Sequence, residues 1–284
     1  MDPDPPAPTS GRSLAQAVIT ALILLGLIVI CYILGPVAFF ILAVTVVLVA
    51  LFELLDALVQ TGHRPNIYLG VLAGFALMLI AFLETPEAVT MRRAELLLTV
   101  LAVTLFVSFL LALRPGRGPT AASDVAWTLT AVLWVGGGGA GAVSMLQLGD
   151  DGTLLLIASV LITALNDIGA FFTGVTFGKH RMAPSISPKK SWEGFVGGML
   201  SCLAGGCLFA FLLFDLDLFD GLIIGGICSL VAPVGDLMES LAKREIGIKD
   251  SGRLLPGHGG LFDRLDAILV TSPAVFLYLQ FVVF

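Results

Sequence analysis

The sequence predicts an all-α, polytopic membrane protein, and three observations carry that reading. Hydrophobic residues make up 57% of the 284-residue chain and charged residues only 13%. Mean hydropathy is +1.01, far above a soluble domain. The apolar residues fall in runs long enough to cross a hydrocarbon core, and the basic residues fall almost entirely on one side of those runs. An open sheet leaves its backbone unsatisfied in lipid, so every crossing segment is expected to be a helix.

Taken in order, residues 1–13 open with the Pro-rich, polar MDPDPPAPTSGR and read as a disordered tail. The apolar run after it shows no small-residue cleavage site, so a retained first helix is expected. Spans are expected at 14–34, 37–58, 67–84, 95–113, 126–147, 153–177, 194–214, 218–239 and 265–283. That gives nine helices, with 14–150 as an N-terminal helical region and 151–284 as a C-terminal region holding the polar chemistry. With nine spans, 13 of the 15 Lys and Arg residues lie on the side of the N-terminus, and only Arg92 and Arg93 lie opposite. The positive-inside rule then puts the N-terminus in the cytoplasm and the C-terminus outside, with the basic loops facing the cytoplasm of the cell membrane.

The four cysteines, Cys31, Cys202, Cys207 and Cys228, sit in apolar runs without metal-ligand spacing. They read as small packing residues. Gly136 to Gly139 lack the Gly-Lys-Ser/Thr that a phosphate loop needs, so close helix packing or a local break is expected there.

The polar residues concentrate in four places. The first runs from Ser240 to Asp266, SLAKREIGIKDSGRLLPGHGGLFDRLD, where acids and bases mix between two apolar walls. Charge beside hydrocarbon is expensive unless it is used, and acids contribute little to orientation. Carboxylates that hold a divalent ion, cations that meet phosphate oxygens, and glycines that let the backbone approach form a set suited to a metal-bound polyphosphate. On a helix, Asp236, Glu239, Ser240 and Lys243 share one face. The competing reading of that face is a helix end with internal Glu–Lys pairing. Asp263 and Asp266 are three apart, and the competing reading there is a capping box. His258 either touches phosphate or caps the loop, and Gly259 and Gly260 are either a close-approach site or only a turn.

The second place is Asn166-Asp167, deep in an apolar span, followed by Gly174 and Phe177-Gly178-Lys179. It is either a functional acid or a polar pair that locks two helices. The third is SPKKSWEG, Ser187 to Gly194, where Lys189 and Lys190 stand beside Ser191 and suit a phosphate; Trp192 reads as an interfacial anchor. The fourth is Glu53 and Asp56 in the second span. They either face the same polar cavity or lie at that span's cytoplasmic end.

Ser240 to Asp266 resembles the signature of the phosphatidate cytidylyltransferase (CDP-diacylglycerol synthase) family. The residues that carry the resemblance are Ser240, Lys243-Arg244, Lys249-Asp250, Gly252, Pro256, His258-Gly259-Gly260, Asp263-Arg264 and Asp266. Ala242 departs from the pattern, which usually has a larger aliphatic there. Ser187 to Gly194 and Asp167 to Lys179 are similar to two further stretches of that family. The resemblance covers the chain from about residue 160.

It implies transfer of CMP from CTP to phosphatidate, with Mg²⁺ as cofactor, giving CDP-diacylglycerol and pyrophosphate. It further implies Asp236 and Asp263 as metal ligands, Glu239 and Asp266 supporting them, and Asp167 and Lys249 in the catalytic set. Lys243, Arg244 and Arg264 would hold phosphate, with Ser240, His258, Gly259 and Gly260 around the substrate and Lys189, Lys190 and Ser191 closing the site. On this reading Asp263→Asn nearly abolishes turnover. Partners are then the two substrates and the bilayer, without nucleic acid. A homodimer is a further expectation, because Gly197-Gly198 and Gly205-Gly206 permit close packing either within one chain or between two.

Two rivals stand against this. CDP-alcohol phosphotransferases need an Asp-Gly-x-x-Ala-Arg run, which is absent. A secondary transporter or channel with an acidic ion path should show an internal repeat and midplane charges. No repeat is seen, and the charges gather at one face.

Overall fold

The structure, a computed structural model, describes residues 14–84, 91–116, 118, 120–214, 217–248, 251–252 and 260–283. It is a bundle of helices. The first half holds α1 (Leu14–Leu34), α2 (Pro36–Gln60), α3 (Ile67–Leu83) and α4 (Met91–Ala112). Next, α5 (Ala121–Ala131) runs through a π-helical turn, Val132–Gly136, into α6 (Gly137–Met145). The second half holds α7 (Gly152–Phe177), α8 (Trp192–Phe209) and α9 (Leu218–Ile246). It closes with the short α10 (Phe262–Leu265) and α11 (Ile268–Tyr278).

Counting α5–α6 and α10–α11 as single rods, the described residues form nine rods. Seven of them, among the described residues, are long and apolar enough to cross a membrane. The two others are α3, with 17 residues, and α1, whose described apolar part is Leu25–Leu34. The chain is thus a helical, multi-pass membrane protein.

One element departs from an all-helical reading. β1 (Arg181–Ala183) and β2 (Ser187–Ser191) form a two-stranded antiparallel hairpin between α7 and α8. Arg181 Nη1 donates to the Lys189 carbonyl across it, at 3.1 Å.

Small residues decide how the helices meet. Gly197 and Gly198 of α8 sit against Thr173 and Asn166 of α7, and Gly206 sits against the backbone of Gly221 and Gly225 of α9. Both glycine runs held open for a dimer interface are therefore spent inside the chain. Gly136, Gly138 and Gly139 likewise face Gly74, Leu269 and Val47, which is the packing expected of that run.

The chain direction sorts the two ends of the bundle. The last third of α2 carries Glu53, which reaches Leu261 and Phe262 at the start of α10. The end of α2, the start of α3, the end of α9 and the start of α10 thus share one end. The end of α3, the start of α4 and the far end of α11 share the other.

Candidate active site

At the first end, three carboxylates converge. Asp236 and Glu239 lie one turn apart on α9, and Asp266 lies at the junction of α10 and α11. One oxygen from each falls within 4.8 Å of the others. Gly235 makes this possible. A Cβ there would stand 2.6 Å from the Asp266 carbonyl oxygen, so only glycine lets α9 touch the α11 rod at that level. The residue after it, Asp236, is carried next to Asp266.

Two lysines neutralise part of the charge. Lys190 Nζ, on β2, lies 2.6 Å from Asp236 Oδ2 and 3.4 Å from the Pro233 carbonyl. Lys243 Nζ, one turn beyond Glu239, lies 2.6 Å from Glu239 Oε1 and 3.5 Å from Asp263 Oδ1. Carboxylates this close repel one another unless a cation stands between them. Two half-buried lysines against Asp236, Glu239, Asp263 and Asp266 leave the cluster net negative. An all-oxygen donor set with residual negative charge fits a hard divalent cation such as Mg²⁺.

Asp263, expected beside Asp236 as a metal ligand, is turned to other partners. Its oxygens accept from the Ser251 hydroxyl, from the Ser251 N–H at 3.3 Å and from the Gly260 N–H at 3.2 Å. It joins Ser251 to Gly260 and meets the acid cluster both through Lys243 and directly at Glu239. Glu53 supports the same turn from the other half of the chain. Its Oε2 accepts from the Leu261 N–H at 2.6 Å and the Phe262 N–H at 3.0 Å, and it is 8% exposed. Gly252 and Gly260 pack directly on that carboxylate, where a Cβ would collide. Glu53, in the last third of α2, thus reaches the polar site through the start of α10 and does not line its cavity. Asp56 accepts from Gln60 Nε2 at 2.6 Å, one turn further along α2. The hint in the sequence was an acid inside an apolar span; its partners, some 200 residues on, were not legible.

Beside the cluster opens a cavity of about 330 Å³, lined by Asp167, Lys189, Lys190, Ser191 and Asp236 among others. Asp167 therefore joins the cavity, and its neighbour Asn166 is buried against α8 with its Oδ1 unpartnered among described side chains. Ser191 caps α8, its Oγ accepting from the Gly194 N–H at 3.2 Å. The hairpin is held in place at two points. Glu193 accepts from the Lys179 and His180 backbone N–H groups and pairs with His180 Nδ1 at 2.7 Å. Arg244 Nε, in the last turn of α9, donates to the Ile186 carbonyl at 3.3 Å. Trp192 is exposed and packs edge-on to Phe195, as an anchor would.

Ser240 stands one turn from Asp236, Oγ to Oδ1 at 3.5 Å, and Arg264 lies in α10 next to Asp263. Lys249, His258 and Gly259 lie outside the described residues. The four cysteines are free thiols, three of them buried.

The family model of the cytidylyltransferase family matches residues 15–282. A phosphatidate cytidylyltransferase of Mycobacterium bovis is 41% identical over 160 residues, which are 55% of this chain and 51% of that protein. One of Haemophilus influenzae is 44% identical over 135 residues, 46% of each chain. One of Staphylococcus saprophyticus is 39% identical over 151 residues, 53% of this chain and 57% of the relative. The chain spans about half the length of the curated relatives it matches.

Proposed function

This chain belongs to the cytidylyltransferase family, and on that premise we propose that it is a phosphatidate cytidylyltransferase. The reaction joins phosphatidate to CTP. A phosphate oxygen of phosphatidate attacks the α-phosphorus of CTP, forming a new P–O bond. The bond from the α-phosphorus to the bridging oxygen breaks, and pyrophosphate leaves with that electron pair. The lipid phosphate is already ionised near neutral pH, so no strong general base is required.

The observation that carries this reading is the apposition of the three-carboxylate cluster with a lysine-lined cavity. Nucleotidyl transfer depends mostly on positioning and charge neutralisation. Asp236, Glu239 and Asp266 would hold Mg²⁺, which when bound neutralises polyphosphate charge and favours departure of pyrophosphate. Lys189 and Lys190 meet phosphate oxygens from the hairpin, and Lys243 with Arg244 and Arg264 does so from the end of α9 and from α10. Ser191 and Asp167 orient groups within the cavity, and Ser240 does so beside Asp236. Asp263 and Glu53 hold Ser251, Gly260 and the start of α10; Lys249, His258 and Gly259, outside the described residues, belong to the site by the family resemblance. Orientation follows the charge bias: nine crossings, N-terminus and active site at the cytoplasmic face of the cell membrane.

The test is formation of CDP-diacylglycerol and pyrophosphate by purified protein in phosphatidate-containing micelles, with and without Mg²⁺. Metal-dependent appearance of both products is expected. Folded protein that forms neither would sink the proposal and return attention to the transporter alternative.

A further inference from the structure

At the end of the bundle away from the acid cluster, a second cavity of about 360 Å³ lies between α3, α4, α6 and α11. Asp266 is separated from Gln280 in its wall by 14 residues of helix, about 20 Å of rise. Leu77, Leu97, Leu101 and Leu133 make the walls apolar, and three polar residues, Arg93, Ser144 and Gln280, interrupt them. Arg93, in the first turn of α4, is 7% exposed and donates from Nη2 to Ser144 Oγ. Its guanidinium carbon lies 5.3 Å from the centroid of the Phe276 ring. It makes no ion pair among the described residues. Glu84 acts on it only at longer range and stands 3.5 Å from Arg92 Nε instead. Gln280 brings a buried Oε1 with no hydrogen-bond partner among the described residues.

A guanidinium offers five N–H donors in a planar fork that matches phosphate oxygens. Ser144 takes one of them. Holding the remaining charge among leucines is costly unless an anion reaches it. A free phosphate ion leaves the leucine walls bare, whereas a lipid brings phosphate and chain together. We infer that this cavity binds an anionic phosphoglyceride with a hydroxyl-bearing headgroup, drawn from the leaflet opposite the acid cluster. The phosphate sits on Arg93, a headgroup hydroxyl donates to Gln280, and one acyl chain lies along Leu97 and Leu101. This site is separate from the acid cluster and does not depend on the catalytic reading.

The experiment titrates phosphatidylglycerol and phosphatidylcholine into the full-length protein in neutral detergent and counts bound lipid by native mass spectrometry. Phosphatidylglycerol is expected to bind the wild type at least tenfold more tightly than phosphatidylcholine, and Arg93→Gln to weaken it by about tenfold. Gly137→Leu keeps Arg93 but fills the groove, at a position where a Cβ meets no atom within 4 Å; it is expected to weaken both lipids. Lys190→Gln is expected to leave the preference intact. No preference in the wild type, undiminished preference in Arg93→Gln, or loss in Lys190→Gln instead would each overturn the assignment. Should Arg93→Gln fail to fold, Gly137→Leu decides alone: lipid binding equal to the wild type refutes the site.

Discussion

The acids of this bundle fall into two groups that differ in what their oxygens face. Glu53, Asp124 and Asp263 each receive backbone N–H groups and tie a loop to a helix. Asp236, Glu239 and Asp266 instead converge on one another, with lysine as the main counter-charge. Residue type and burial do not separate the groups, since Glu53 and Glu239 are both buried glutamates on membrane-length helices. The supply of N–H donors from a distant loop does, since Asp266 accepts from the N–H of its own neighbour Ala267. A carboxylate given backbone donors is satisfied in the folded chain alone. A carboxylate facing other carboxylates needs counter-charge, which Lys190 and Lys243 supply in part and an added cation would complete.

The largest expected effect tests that distinction directly. Asp236→Asn removes an oxygen donor from the converging group, so turnover should fall by about 100-fold or more and the Mg²⁺ needed for half-activity should rise. Asp263→Asn keeps an oxygen for Ser251 and Gly260. It should cost about tenfold in turnover with the Mg²⁺ midpoint unchanged. The sequence pattern favours near-abolition for Asp263→Asn. A metal midpoint displaced as far as in Asp236→Asn would return Asp263 to the ligand set and erase the division drawn here.

Glu53→Gln sharpens the comparison from the other side. One oxygen remains for the Leu261 and Phe262 N–H groups, but the charge is gone and an amide NH₂ must fit against Gly252 and Gly260. A stability loss of about 1–3 kcal/mol is expected, seen as a lower midpoint in thermal unfolding in detergent. Turnover should drop several-fold with unchanged metal dependence, because the turn is loosened and the cluster is not. Wild-type stability in this variant would mean that Glu53 does not hold the turn.

Much of this was legible in the sequence. Run length and hydropathy mark the helices, because lipid leaves the backbone no alternative, although α9 continues seven residues past its expected end at 239 and α5 begins five before 126. Spacing on α9 puts Asp236 and Glu239 on one face. Other features needed partners that spacing does not reveal. The pattern ranks Asp263 above Asp266 as a metal ligand, and only in three dimensions do Gly260, Ser251 and Gly235 show what each carboxylate meets. The β hairpin rests on pairing of Arg181 with Ser191 and Ala183 with Ser187 inside a Pro-containing loop, without an alternating strand pattern. Gly197-Gly198 and Gly205-Gly206 permit packing within or between chains, and only the positions of Thr173, Asn166 and Gly221 decide the matter.

The smallest expected effect concerns Asp124, which the sequence did not single out. It is 2% exposed in the first turn of α5, where a carboxylate also meets the positive end of the helix. Its Oδ1 accepts from the Arg64 N–H at 2.9 Å and lies 3.5 Å from His63 Nδ1. It thereby fixes the α2–α3 connection as Glu53 fixes the start of α10, but it lines neither the acid cluster nor its cavity. Asp124→Asn keeps the acceptor and loses the charge, so a stability loss of about 1 kcal/mol is expected. Turnover should stay within about twofold of wild type, read from initial rates at saturating CTP. A turnover loss as large as that of Glu53→Gln would show that the α2–α3 connection also positions the site, and the loop-holding acids would then not be separable by distance from the cluster.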